Sequence, residues 1–295
     1  MEMERVGKQR TWGWLFASIL LCFACLAQAA PLTVQVLGAS GSSGDAFIAG
    51  LARDLGNDWL VTTEADVPAD MVIALHDGVL PAARELRRPL LLLRPDPDAE
   101  PLRSGETAIY WAPSWTLQLQ LARLLHPGLR RAGLLLDSSA QLPRARLLRE
   151  HAEAAGFVLQ WRVADASRPL RDVAELAAAT DVLLAPAGSR LFGRDLLRPV
   201  LLAAYRQNRV FVGGSPAIVH AGSLASLHAS PATLASETAE RLRDFARDGR
   251  WLPPARVRRF EVILNAQVAR ALGRKLPDAD ELTRILMAGE SPSWP

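Results

Sequence analysis

Cysteine is nearly absent from this chain. The 295 residues hold two, Cys22 and Cys25, both inside the first thirty. The remainder therefore forms no disulfide, offers no thiolate nucleophile and supplies no cysteine ligand to a metal. Lysine is almost as scarce, at positions 8 and 275 only, and arginine carries the basic charge. Charge of one sign is lacking too: the formal net charge is +3. The arginines are scattered among Asp and Glu along helical stretches, without the basic stripe that nucleic-acid binding uses, so no nucleic-acid partner is expected. A long hydrophobic run is missing as well. The apolar stretch from Leu15 to Ala27 falls short of the roughly 20 residues that span a bilayer as a helix.

What that stretch does have is order. Arg5, Lys8 and Arg10 precede it, and Ala27, Gln28, Ala29 and Ala30 close it with small residues. Basic, apolar and small segments in that sequence describe a cleavable secretory signal over 1–30, with mature protein starting near Ala30 or Pro31. The expected location is the periplasm, an uncleaved membrane anchor being the alternative. About 265 residues remain, which suffices for two lobes with their own cores.

Downstream, apolar runs alternate with segments of helical period. Strands are expected at 33–37, 59–63, 71–75, 90–93, 107–111, 132–137, 158–163, 182–185 and 210–213, and helices at 44–55, 115–125, 144–155, 170–179 and 196–207. Most strands are continuous apolar runs, the mark of parallel sheets covered by helices on both faces. The fold class that follows is α/β, with two Rossmann-like lobes built on parallel sheets. The first is expected over 31–118, completed by about 225–251, and the second over 119–223, completed by about 252–288.

In open α/β sheets, ligands sit beyond the carboxyl ends of strands. Those positions here are small and polar. Gly38, Ser40, Gly41, Ser42, Ser43 and Gly44 follow the first strand, His76 and Asp77 the third, Arg94 the fourth, and Asp137, Ser138 and Ser139 the sixth. Gly188 and Ser189 follow the eighth, and Gly213, Gly214 and Ser215 the ninth. Ser40, Ser42, Ser43, His76, Ser138, Ser139, Ser189 and Ser215 are the candidate ligand contacts. Each also has a plainer reading as the turn or cap of the next helix.

The 38–44 turn lacks the spacing of a dinucleotide fingerprint or a P-loop and has no lysine, which argues against nucleotide binding. HExxH, GxSxG and a histidine pair backed by a carboxylate are all missing from the sequence. No catalytic residue, metal or cofactor is therefore expected. His126 and His151 fall at helix surfaces, whereas His76 and His220 lie nearer candidate turns. Trp111 and Trp115, beside Tyr110, flank the presumed passage between lobes, as ligand wall or as core. Trp161 alternates with Leu159 and Val163 and is expected in the core.

The C-terminal third adds a motif. Within VILNAQVARALGRKLP (262–277), Asn265, Ala269, Leu272, Gly273 and Pro277 keep the order and spacing of ABC-transporter substrate-binding proteins of periplasmic-binding-protein type 1 architecture; Gly222, Ala225 and Ser226 fit the same pattern. The chain resembles that family over 131–277. The resemblance implies a two-lobed clamp that binds a small polar molecule and presents it to an inner-membrane ABC permease, as a monomer and without chemistry. Departures from the family pattern are Gly41, Ser42 and Ser43 in place of a His-Pro pair, His228, Ala229 and Ser230 in place of tyrosines, and Ala235 in place of a glycine. The alternative is an envelope sensor or accessory protein, decoupled from transport, whose cleft has degenerated.

Overall fold

The apolar runs become parallel strands, those at the centre of each sheet buried on both faces. A computed structural model describes residues 30–95, 100–154, 156–165, 167–193 and 195–288; of the expected signal at 1–30, residues 1–29 lie outside the described residues. The strands are β1 Leu32–Leu37, β2 Trp59–Thr62, β3 Met71–Ala74, β4 Leu90–Arg94, β5 Glu106–Tyr110, β6 Arg131–Leu136, β7 Val158–Val163, β8 Val182–Ala185, β9 Phe211–Gly213, β10 Ala225–His228, β11 Ala255–Arg256 and β12 Glu261–Leu264. The helices are α1 Gly41–Leu55, α2 Leu80–Glu85, α3 Trp115–Leu125, α4 Leu142–Ala154, α5 Pro169–Ala179, α6 Leu197–Tyr205, α7 Pro216–Ala221, α8 Pro231–Asp248, α9 Ala266–Ala271 and α10 Ala279–Ala288. Among the described residues no helix is long and apolar enough to cross a membrane.

Two six-stranded sheets result, ordered β2-β1-β3-β4-β5-β11 and β7-β6-β8-β9-β10-β12. Every pairing is parallel except β10 with β12. Both sheets place their first strand second from the edge, and both fasten it with an aspartate. Asp70, just before β3, accepts the backbone N–H of Thr33 at 2.8 Å. Asp181, just before β8, accepts those of Arg130 and Arg131 at 3.1 and 2.9 Å, with the Arg131 guanidinium at 3.0 Å.

Burial pushes the Asp181 carboxyl up, but the Arg131 amide and guanidinium outweigh it and hold the group below its ordinary value. A carboxyl lowered in the folded state contributes stability above its unfolded pKa and loses it as pH falls through the folded one. Asp181→Asn is therefore expected to flatten the acid limb of stability below about pH 4. Urea melts of wild type and variant with the same pH slope there would count against this role.

The chain passes between sheets at 111–114, 229–230 and 257–260. The return to the first sheet comes later than the sequence suggests. β10 at 225–228 stays in the second sheet between β9 and β12, and the first sheet gains β11 at 255–256. α8 then packs on α1, burying Ala235, Ala239 and Leu242 against a face that carries Phe47, Gly50 and Leu51. A Cβ on Gly50 would stand 3.0 Å from that of Ala235. The two helices approach this closely because Gly50 has no side chain.

α8 also latches the third passage. Glu237, 7% exposed, accepts the Arg258 backbone N–H at 3.0 Å, and Glu240 pairs with the Arg258 guanidinium at 2.6 Å. Arg256 donates to the carbonyl of Ala112 at 3.0 Å, which ties the end of β11 to the first passage. The tail motif is structural. Asn265 caps α9 by accepting from the amides of Gln267 and Val268, both at 3.1 Å, and donates to Val219 O at 2.7 Å. Ala269 is buried, and Gly273, at φ +65°, closes the helix with Gly273 N–H to Arg270 O and Arg274 N–H to Ala269 O.

Candidate functional site

Parallel strands put all their carboxyl ends on one edge of each sheet, and the passages at 111–114 and 229–230 leave from those edges. The first-lobe edge is built from the turns after β1, β3 and β4. Gly38 adopts φ +84°, and a Cβ there would meet His76 Nε2 at 2.7 Å, so glycine lets the histidine ring lie over the turn. Gly78 admits another part of the ring, with a Cβ position 2.9 Å from Nδ1. The structure thus brings His76 to the turn that carries Ser40, Ser42 and Ser43, all exposed at the start of α1. Ser40 occupies the N-cap position without a side-chain cap bond. Beneath them Arg94, 1% exposed, reaches the Asp77 carboxylate and donates to Glu100 O at 2.8 Å.

The second-lobe edge collects the turns after β6, β8 and β9. Ser138 and Ser139 precede and open a short 3-10 turn, and Ser215 precedes α7; Ser138 and Ser215 make no side-chain cap bond. Ser189 differs. Its hydroxyl donates to Asp137 Oδ1 at 2.7 Å and accepts from Leu191 N–H at 3.2 Å, and the residue is 8% exposed. Asp137 Oδ2 also accepts the Arg190 backbone N–H at 3.0 Å. This carboxylate and hydroxyl hold two turns of the same lobe together.

The edges meet. Pro95, after β4, lies so near Gly188, after β8, that a Cβ on Gly188 would stand 2.9 Å from Pro95 Cγ. Among the described residues no hydrogen bond joins the first-lobe set of Ser40, Ser42, Ser43 and His76 to the second-lobe set of Ser138, Ser139, Ser189 and Ser215. His220 is exposed on α7. His126 ends α3, where burial lowers its pKa. Trp115 is 3% exposed and belongs to the core, with the Arg144 guanidinium over its ring at 4.1 Å. Trp111 is half-buried. Trp161 packs only partly on the core, under Arg149 at 4.7 Å.

Sequence reasoning missed Gln118. Its side chain is 1% exposed, and among the described residues neither end of the carboxamide has a hydrogen-bond partner. The signal was present: Gln118 stands on the apolar stripe of α3 with Trp115, Leu119 and Ala122, a polar residue at a core position. Among the described residues, no three His, Cys, Asp or Glu side chains are grouped so as to hold a metal ion.

No family model matches the chain, and no curated protein matches it in sequence. Solved structures do match. A ligand-free, open substrate-binding protein with adhesive properties from Clostridium difficile aligns with TM-score 0.66 at 17% identity, covering 84% of this chain and 96% of the other. An ABC domain from Streptococcus pneumonia in complex with L-Trp gives 0.62 at 15% identity, over 86% and 98%. A periplasmic ribose ABC transporter protein from Conexibacter woesei gives 0.53 at 12% identity, over 86% and 97%. With two parallel-dominated sheets joined by three passages and these structures alongside, the chain has the type 1 periplasmic-binding-protein fold.

Proposed function

We propose that the protein is the periplasmic solute-binding component of an ABC-type uptake system and holds a small polar molecule between its lobes. The observation that carries this reading is the pair of facing strand edges, lined by small and hydroxyl-bearing residues and touching at Pro95 and Gly188. A solute gripped by both edges favours the closed arrangement by its differential affinity for it, which is all that capture and release require. The lobes divide, on this reading, into 31–110 with 231–256, and 115–228 with 261–288. Ser40, Ser42, Ser43 and His76 contact the solute from one side, and Ser138, Ser139 and Ser215 from the other. Ser189 acts through Asp137 as a positioning residue.

The export signal expected at 1–30 supports a periplasmic location, and an inner-membrane permease is the partner this role needs. The protein acts as a monomer and alters no bond. Relatives in fold that bind L-Trp or serve ribose transport support a solute of that size.

A thermal-shift screen of the exported chain against amino acids, sugars, small carboxylates and aromatic metabolites tests the reading. A true ligand at a hundredfold excess over its Kd is expected to add about 2.7 kcal/mol of stability. Silence across the whole panel would overturn it in favour of a protein whose cleft no longer binds.

A further inference from the structure

The first lobe carries a hollow that the proposed cleft does not use. It measures about 380 Å³ and lies at the amino ends of β4 and β5, the edge of the sheet opposite to Gly38, His76 and Asp77. Arg84, Arg87 and Arg88 line it from the end of α2 and the turn that follows, and Arg103, Ser104 and Glu106 from the turn into β5. The two turns are joined by the Leu90 N–H, which donates to Gly105 O at 3.1 Å. Four arginines thus surround one glutamate. That glutamate is already engaged: Arg84 donates to both its oxygens, at 2.7 and 2.9 Å, and the Arg103 backbone N–H adds a bond at 2.8 Å.

Three guanidinium groups are left for something else. Among the described residues no hydrogen bond or ion pair engages those of Arg87 and Arg88, and Arg103 stands 3.5 Å from Glu100, on an oxygen that Arg84 also takes. Arg87 is left-handed besides, at φ +51°, one of two non-glycine residues so placed among the described residues. It follows α2 where a helix ordinarily ends on glycine, so an arginine is kept there in a strained backbone with no bond from its side chain to offset the strain. A hollow lined by one sign of charge concentrates counter-ions. Each guanidinium fork matches two oxygens of an oxyanion, and three forks on two turns exceed what a planar carboxylate accepts. A phosphate monoester offers three acceptor oxygens and nearly two charges, and the exposed Ser104 hydroxyl is a further donor beside it. We propose that this hollow is a phosphate site, in which Arg87, Arg88 and Arg103 hold the phosphate of a monoester, a small soluble one or a lipid headgroup. The site stands whether or not the cleft binds a solute.

The test is calorimetry on the exported chain at low ionic strength with inorganic phosphate, glycerol phosphate and acetate, together with flotation on phosphatidylcholine vesicles with and without phosphatidic acid. Wild type is expected to bind at least one phosphate probe saturably, and acetate at least tenfold more weakly. Arg88→Gln, Arg103→Gln and Arg87→Gly are each expected to weaken that binding tenfold or more. Arg87→Gly is the discriminating variant: glycine relieves the left-handed backbone, so the variant is expected to melt no lower than wild type while it loses the phosphate. Binding of the soluble probes identifies a free ester and binding confined to the phosphatidic acid vesicles a headgroup, and either supports the site. No saturable binding of any phosphate probe by wild type, an unchanged Kd in all three variants, or acetate bound as tightly as phosphate overturns the inference. None of these results touches the cleft, so the solute-binding reading is judged separately.

Discussion

Asp77→Ala is expected to cost about 3 kcal/mol of folding stability, read as a lowered urea midpoint at unchanged slope. Arg94 ends an apolar strand with its side chain 1% exposed, and among the described residues the Asp77 carboxylate is the only negative charge bonded to it. Its other partner among them is the carbonyl of Glu100 at 2.8 Å. Removing one member of a buried pair costs 3–5 kcal/mol, because the other charge stays desolvated. Asp77 is 42% exposed, so water relieves part of that cost and the lower end applies. Pairing the change with Arg94→Met, which removes the stranded cation, is expected to recover most of the loss. A midpoint within experimental error of wild type would show that water alone satisfies Arg94.

Gly213→Ala is the second large effect, again about 3 kcal/mol. Two costs combine: an L side chain at φ +100° is strained by roughly 1–3 kcal/mol, and the new Cβ collides with Gln118 and with the carbonyl of Ala185. Gln118 can swing aside, but the backbone carbonyl cannot. Gly249→Ala is the control. It shares a positive φ, +66°, but has nothing within 4 Å of its Cβ position, so only the left-handed penalty of about 1 kcal/mol applies. Equal losses at the two positions would mean that crowding at the end of β9 contributes nothing.

Much of this architecture was legible because continuous apolar runs such as Leu90 to Leu93 and Val182 to Ala185 have few readings other than strands covered on both faces. The last three strands were not. β10 reads Ala-Ser-Leu-His, β11 has two residues and β12 ends against a helix; none carries a run long enough to declare itself. Their membership is decided by pairing, which sequence period does not encode. The return to the first lobe was misplaced for that reason. The tail motif was legible as a pattern while its cause was not: Asn265 and Gly273 start and stop one short helix.

At the site, the glycine and serine turns could be found by counting to the end of each strand. Which hydroxyls were already engaged could not. Ser189 and Ser215 look alike in sequence, yet only Ser189 has an aspartate waiting in the neighbouring turn. Gln118 announced itself as a polar residue on an apolar stripe, but the space its carboxamide occupies is left by a glycine nearly a hundred positions away.

The interleaving of the lobes bears on how the chain is made. α1 shows Phe47 and Leu51 to α8, and β5 finds its outer neighbour in β11, so the first lobe waits for residues 231–256. A ribosome that has delivered only the first two hundred residues has made nothing that can finish folding. Contacts so distant along the chain slow the search for the native state. For the periplasmic role proposed above, that delay leaves the chain unfolded while it crosses the membrane.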